Sequence, residues 1–226
     1  MQKAAVVKKF SINFLVLAGL FIISLAVIFA IGDMVFEDKN LRFDEKIFAF
    51  MQQYVSPGNT KFFQAITFFG GEKFLLPANI ALMLLFAIKK SWRHYFWKIS
   101  IVLIMGTVVL FSLKTILERQ RPLVPLVSKA HGYSFPSGHS FSSVMFYGLV
   151  AYMIYNSYAQ KWVKVLLITM LISMMFLVGI SRVYLRVHYG TDVIAGWLLA
   201  FMWLLLAKYF LIDRRKRLPI NNDKAI

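Results

Sequence analysis

Two histidines, one aspartate and three basic residues occur in three short groups in the second half of the chain. The groups are Lys114, Arg121 and Pro122; Pro136, Ser137, Gly138 and His139; and Ser181, Arg182, His188 and Asp192. Histidine exchanges protons near neutral pH, and arginine and lysine bind oxyanions. Residues of these types, brought together by the fold, would suit the binding and transfer of a phosphoryl group.

The first group can present two cations in one direction. Lys114 and Arg121 are seven residues apart, which is about two helical turns, so both can project from one face. Pro122 then stops the helix. Two converging cations without a matched acidic partner favour an anion. The alternative is an ion pair between Lys114 and Glu118, which lies four residues further on.

The second group has the composition of a tight turn that leads into a helix. Backbone N–H groups at a helix start, together with the helix dipole, bind phosphate readily. An ordinary helix cap at Ser137 and Gly138 would have the same sequence. The unusual residue is His139, because it stands at the entrance of an apolar helix, where it can donate a proton.

The third group pairs a histidine with a carboxylate. His188 and Asp192 are four residues apart and can meet if a helix has begun. A carboxylate bonded to one ring nitrogen fixes the tautomer and leaves the other nitrogen free to attack. The pair could also be purely structural, or could form a two-histidine, one-carboxylate metal site with His139. The surrounding cations Lys114, Arg121 and Arg182 favour an oxyanion over a divalent metal, so we expect no metal and no cofactor.

The elements that must position these groups are membrane helices. The chain has 226 residues, of which 59% are hydrophobic and 16% charged, with a mean hydropathy of +0.66 and no cysteine. This composition excludes a disordered chain and disulfides, and it argues against a soluble domain. Apolar runs long enough to cross or nearly cross a bilayer predict six spans in a single domain, 1–226. The spans are at about 10–31, 74–88, 96–117, 141–157, 163–180 and 193–212.

Because continuous apolar runs in lipid must be helical, the predicted fold is an all-α bundle of six transmembrane helices. Residues 40–70, between the first two spans, mix acidic and aromatic side chains around Ser56-Pro57-Gly58. This pattern predicts an amphipathic segment at the membrane interface. It could cover the site or merely pack on the helix ends, and the sequence favours neither.

The net charge of +16 is an orientation signal. Most basic residues fall at the two termini, including Arg214–Arg217, and in the loops after the second and fourth spans. By the positive-inside rule both termini are cytoplasmic and the three groups face the outer side. No soluble domain carries the charge, so nucleic acid is not expected as a partner. The bilayer is the expected partner, and the oligomeric state stays open.

The three groups together resemble the signature motifs of the type 2 phosphatidic acid phosphatase family. The matching patterns are Lys114-x6-Arg121-Pro122, Pro136-Ser137-Gly138-His139 and Ser181-Arg182-x5-His188-x3-Asp192. Leu41-Arg42-Phe43-Asp44, Ile66-Thr67 and Gly70-Gly71 are similar to bacterial members that act on phosphatidylglycerophosphate or undecaprenyl diphosphate. Arg186 and Gly190 occupy variable positions of the third motif.

The resemblance implies a metal-independent lipid phosphatase that works through a phosphohistidine. It also implies a membrane lipid phosphate as the partner and a bacterial inner (plasma) membrane as the location. By position, His188 is the nucleophile, Asp192 orients it, and His139 protonates the leaving oxygen. The phosphoryl oxygens are bound by Lys114, Arg121, Arg182, Ser137 and Gly138.

The expected reaction is conversion of phosphatidylglycerophosphate to phosphatidylglycerol. Undecaprenyl diphosphate is the alternative substrate, and a phosphotransferase of the same family is the alternative activity. A lipid transporter, from a different class, is disfavoured because its charges would lie near the membrane midplane.

Overall fold

The computed structural model describes residues 2–37, 39–88, 93–127 and 131–208, and the regular elements in these ranges are helical. The first helix, α1, continues into a short π-helical turn, Asp33–Glu37. The helices are α1 (Gln2–Gly32), α2 (Arg42–Gln52), α3 (Pro57–Phe68), α4 (Glu72–Ile88), α5 (Arg93–Leu117), α6 (Gly138–Tyr155), α7 (Lys161–Tyr184) and α8 (Gly190–Ala207). The predicted all-α membrane architecture is confirmed.

Five segments of the described chain are long and apolar enough to span a membrane. They are Leu15–Glu37, Pro57–Ile88, Tyr95–Leu117, Lys161–Tyr184 and Gly190–Ala207. The fourth predicted span corresponds to α6, an 18-residue helix whose first turns carry a histidine and three serines, so its apolar character is weaker. The predicted end of the sixth span at residue 212 and the basic tail Arg214–Arg217 lie outside the described residues.

Local sequence explains where the helices that flank the site begin. Ser56 accepts a hydrogen bond from the N–H of Asn59 at 3.2 Å, and Pro57 occupies the first turn of α3, where no N–H is needed. Ser137 caps α6 in the same way, through the N–H of Ser140 at 3.4 Å. Both starts therefore follow from short-range capping chemistry.

Helices α6 and α8 form the centre of the bundle. Gly196 lets them approach closely, because a Cβ at this position would lie 2.7 Å from the carbonyl oxygen of Ser137. Small residues at helix contacts are typical of membrane bundles. Below this contact, Phe141, Met145 and Ala200 belong to a buried apolar cluster. The close contact brings the first turn of α6 beside the first turns of α8.

The predicted interfacial segment forms α2 and α3; α2 packs on α7 and α8, and α3 packs on α7. In α2, Asp44 is 1% exposed, and the side chain of Ile47 lies against Gly190. In α3, the rings of Phe63 and Tyr184 stack with centroids 4.2 Å apart. The segment is thus packed directly over the end of the bundle that carries the three sequence groups.

Candidate active site

His188 lies in the turn between α7 and α8 and is 1% exposed. Helix α8 begins only at Gly190, so His188 and Asp192 meet across a helix start and not along one helical face. Nδ1 of His188 is 3.4 Å from Oδ2 of Asp192. The same carboxylate oxygen accepts hydrogen bonds from the hydroxyl of Ser134 and from the N–H of Tyr189, the latter at 2.9 Å.

Arg121 determines which nitrogen of His188 carries the proton. Its Nη1 lies 3.0 Å from Nε2 of His188. A guanidinium has only donors, so Nε2 must accept and is unprotonated, while Nδ1 carries the hydrogen toward Asp192. This tautomer leaves a nucleophilic lone pair on Nε2, which points toward Arg121.

Burial lowers the pKa of His188 to about 4, because the protonated ring would lose its hydration. The nearby Asp192 carboxylate favours the charged form, and Arg182 and Arg121 oppose it. Desolvation has the largest effect on this pKa, so the imidazole of His188 is neutral at pH 7.

The guanidinium of Arg121 is fixed by backbone carbonyls. Nε donates to Gly132 at 2.8 Å, Nη1 to Val187 at 2.7 Å, and Nη2 to His131 at 3.1 Å. Beside it is a cleft of about 250 Å³, also lined by Pro122, Leu123, Gly132, Arg186 and Val187. Arg121 therefore contacts the His188 ring and also lines the cleft at the surface.

Lys114 does not form the ion pair that its spacing with Glu118 allowed. Its Nζ donates to the carbonyl of Tyr133 at 2.9 Å, and Glu118 instead accepts the Tyr133 hydroxyl at 2.8 Å. Gly138 adjoins the lysine, since a Cβ there would lie 3.8 Å from Cε of Lys114. The lysine charge is left without a carboxylate partner among the described contacts.

Arg182, 7% exposed, is the most buried of the three predicted anion-binding cations. Nη1 donates to the hydroxyl of Thr67 at 2.7 Å, and Nε is buried without a hydrogen-bond partner in the described part of the chain. A buried guanidinium N–H is costly unless it is bonded. The site therefore has one unused donor that an anion could satisfy.

His139 is the second residue of α6 and faces the turn between α3 and α4. A Cβ at Gly71 would lie 3.3 Å from Nε2 of His139, so the glycine leaves space beside the ring. The ionisable groups whose electrostatic field reaches His139 are Arg182, His188, Arg121 and Lys114. His188 and the three cations therefore all lie within electrostatic range of His139.

Ser137 is engaged inside the protein. Its N–H donates to the carbonyl of Asp192 at 2.9 Å, and its hydroxyl accepts from the hydroxyl of Ser140 at 2.9 Å. The side chain is fully buried. In this arrangement Ser137 caps α6 and joins it to α8.

Three groups in the site were not among the residues predicted to act there. Ser134 bonds Asp192, Thr67 bonds Arg182, and Arg119 bridges Asp192 and Asp44. Asp44 belongs to the Leu41–Asp44 pattern, Thr67 to the Ile66-Thr67 pattern, and Arg119 lies inside the first motif, which were the available signals. Ser134 has no distinguishing spacing. Among the described residues no group of three or more histidine, cysteine, aspartate and glutamate side chains could hold a metal ion.

Fold and site together define a multi-pass membrane protein with a buried, cation-rich histidine pair at one end of its bundle. Residues 95–216 match the PAP2 superfamily model. The chain belongs to this superfamily, the type 2 phosphatidic acid phosphatases, and is an enzyme of the lipid phosphatase class, as the motifs predicted.

Two relatives of known name are similar in sequence. Phosphatidylglycerophosphatase B of Bacillus subtilis (strain 168) is 38% identical over 152 residues, which cover 64% of this chain and 71% of the relative. An undecaprenyl-diphosphatase of Sulfolobus acidocaldarius is 34% identical over 141 residues, covering 58% of this chain and 60% of the relative.

Two solved structures have similar folds. The crystal structure of a transmembrane PAP2-type phosphatidylglycerolphosphate phosphatase from Bacillus subtilis has a TM-score of 0.74 and 29% identity, covering 88% of this chain and 98% of that one. LpxE of Aquifex aeolicus has a TM-score of 0.59 and 21% identity, covering 76% and 98%. The second likeness concerns the fold alone.

Proposed function

We propose that this chain hydrolyses the phosphate of a membrane lipid headgroup, without a metal, through a phosphohistidine on His188. The observation that carries the proposal is the buried neutral ring of His188, with Nδ1 toward Asp192 and an unprotonated Nε2 beside Arg121. Such a nitrogen can attack phosphorus without first losing a proton.

The first step forms a bond between Nε2 of His188 and phosphorus and breaks the bond from phosphorus to the lipid oxygen. The leaving alkoxide takes a proton from His139, because an unprotonated alkoxide leaves poorly. Asp192 stabilises the positive charge that develops on the His188 ring. In the second step water gives a proton to His139 and its oxygen bonds to phosphorus. The bond between phosphorus and Nε2 of His188 breaks, and inorganic phosphate is released.

Three cations stabilise the phosphoryl group during both steps. Lys114, Arg121 and Arg182 bind its equatorial oxygens, over which charge spreads in the transition state. The unused Nε of Arg182 supports this role. Arg121 releases Nε2 of His188 as the phosphate arrives and donates to the phosphate instead. The Gly138 N–H and the α6 start, capped by Ser137, add a favourable dipole.

Phosphatidylglycerophosphate is the proposed substrate and phosphatidylglycerol the product. The relative named phosphatidylglycerophosphatase B supports this choice, together with the structural likeness to a phosphatase of the same substrate name. Undecaprenyl diphosphate is the second candidate, favoured by the relative named undecaprenyl-diphosphatase.

The decisive experiment measures phosphate release by the purified protein in detergent with EDTA. Phosphatidylglycerophosphate, undecaprenyl diphosphate, phosphatidic acid and a lipid A phosphate are compared side by side. We expect the first to have the highest kcat/KM and His188→Ala to release none above background. Equal rates for wild type and His188→Ala would overturn the phosphohistidine mechanism. Phosphate that appears on an added lipid or sugar alcohol, and not in solution, would indicate a phosphotransferase.

We also propose that the protein lies in a bacterial inner membrane with both termini cytoplasmic and the site on the outer side. The natural chain has no cysteine, so a single introduced cysteine reports its own location. Leu123→Cys, at a side chain 90% exposed near the site, should react with an impermeant maleimide in intact cells. Tyr158→Cys, 76% exposed between α6 and α7, is the matched control and should react only after lysis. The reverse pattern would invert the topology.

A further inference from the structure

Arg119 is a buried arginine that none of the proposed catalytic steps uses. It is 8% exposed and follows the end of α5. Nη1 donates to Oδ1 of Asp192 at 2.5 Å and to the hydroxyl of Thr191 at 2.7 Å. Nη2 donates to Oδ2 of Asp44 at 2.8 Å. Its guanidinium carbon lies 4.0 Å from the centre of the Tyr189 ring.

The bond from Arg119 determines how the Asp192 carboxylate is turned. Oδ1 is taken by Arg119, which leaves Oδ2 for Ser134, the Tyr189 N–H and Nδ1 of His188. A carboxylate can rotate about its terminal bond unless both oxygens are held. Without Arg119, the oxygen that now meets His188 would lose its fixed direction.

Asp44 completes the arrangement from helix α2. Its two oxygens accept from the N–H and the hydroxyl of Thr191, at 2.9 Å and 2.8 Å, in addition to Arg119. A buried guanidinium between two carboxylates satisfies charges that would each be costly alone. The first turn of α2 is thus bonded both to the first turn of α8 and, through Arg119, to the proposed orienting carboxylate.

We propose that Arg119 and Asp44 are positioning residues for the hydrolytic reaction, acting through Asp192 on His188. The inference rests on the proposed function, in which His188 is the nucleophile. The role of α2 is then to hold Arg119 in place through Asp44. Neither residue touches the substrate, and neither transfers a proton.

Arg119→Met tests the first part, because methionine keeps an apolar stem of similar length and removes all donors. We expect kcat on the preferred lipid to fall about 10–100-fold, the loss typical of residues that orient a metal-binding histidine. KM should change less than about twofold, because the three phosphate-binding cations stay in place. Arg119→Lys should recover part of kcat, since one ammonium can bond Asp192 but cannot also span to Asp44.

Asp44→Asn, alone and combined with Arg119→Met, tests the charge arrangement. In Arg119→Met two buried carboxylates face each other without a cation. Removing the Asp44 charge relieves this, so the double variant should have a higher kcat than Arg119→Met alone. Simple multiplication of the two single losses would contradict the proposed coupling.

Controls separate positioning from misfolding and from failure of the proposed function. Each variant is checked for a single size-exclusion peak in detergent and for an unchanged inhibition constant of inorganic phosphate, which binds the cationic site without bonding to His188. A variant with normal phosphate binding and wild-type kcat would overturn the inference. If His188→Ala is inactive while Arg119→Met is fully active, only the positioning role fails. If His188→Ala is active, the mechanism itself fails.

Discussion

Helices α8 and α1 are both largely apolar in sequence, but they differ in what surrounds them. Half of the residues of α8 are buried, against 11% in the apolar 18-residue stretch of Leu15–Glu37. In α8 the buried residues include Ala195 and Ala200, whereas in α1 Ile22 is 63% and Phe29 is 70% exposed. The first surface packs on protein, and the second is suited to lipid.

The difference shows that hydropathy identifies helices in a membrane but not their neighbours. Lipid tails are as apolar as leucine, so helix contacts depend on close packing of small residues and on hydrogen bonds. Both are concentrated where α6 meets α8, at Gly196, Ser137 and Ser140. The polar site is tolerated at that end because neighbouring helices, and not lipid, satisfy its groups.

After His188→Ala, the largest effect should come from His139, at the protein-packed end. His139→Asn should lower kcat on a lipid phosphate by about 10²–10⁴-fold, because the alkoxide would leave without a proton. An aryl phosphate is the control substrate, since its leaving group needs no acid, and the loss on it should be much smaller. An equal loss on both substrates would mean that His139 does not protonate the leaving group.

The second prediction uses the titration of His188 to test whether water is excluded from this end of the bundle. In ¹⁵N-histidine spectra, the signal missing from His188→Asn should stay neutral as the pH falls and change only near the pKa of about 4. After unfolding, the same ring should titrate near 6.5. Between these values the unfolded chain binds more protons, so this contribution to stability is complete above about pH 6.5 and is lost as the pH falls toward about 4. Titration of the folded protein near 6.5 would mean a hydrated site.

The third prediction compares two glycines in the two regions. Gly196→Ala should lower the free energy of unfolding by about 1–3 kcal/mol, because the new Cβ would press on the backbone of Ser137. Gly19→Ala, in α1 with nothing within 4 Å, should be neutral or slightly stabilising. Thermal unfolding in detergent measures both. Similar losses at the two positions would remove the packing distinction.

The smallest effects should separate two residues of α5. Val102 is 1% exposed and Ile104 is 60% exposed. Val102→Ala leaves a cavity and should cost about 1 kcal/mol, whereas lipid or detergent fills the space left by Ile104→Ala, which should cost less than about 0.5 kcal/mol. The same unfolding measurement decides, and a larger cost for Ile104→Ala would show that this surface packs on protein.

Much of the site was predictable because its residues are local in sequence or belong to recognisable motifs. The spacing of Lys114 and Arg121 and the pairing of His188 with Asp192 follow from a few residues each. The choice of partners did not follow: Lys114 bonds the Tyr133 carbonyl and not Glu118, and His188 precedes the helix that holds Asp192. The first detail depends on the path of the loop between α5 and α6, and the second on the residue at which α8 begins; no local pattern encodes either.

The sequence by itself determined the helical membrane fold, the family and the residue types of the site, because apolar run length and motif spacing are short-range properties. Tertiary structure decided that Asp44, from a helix 75 residues before Arg119, shares one buried guanidinium with Asp192. It also decided which apolar faces meet protein and which meet lipid. Such contacts join distant segments through close packing and charge satisfaction, and neither is visible in a single stretch of sequence.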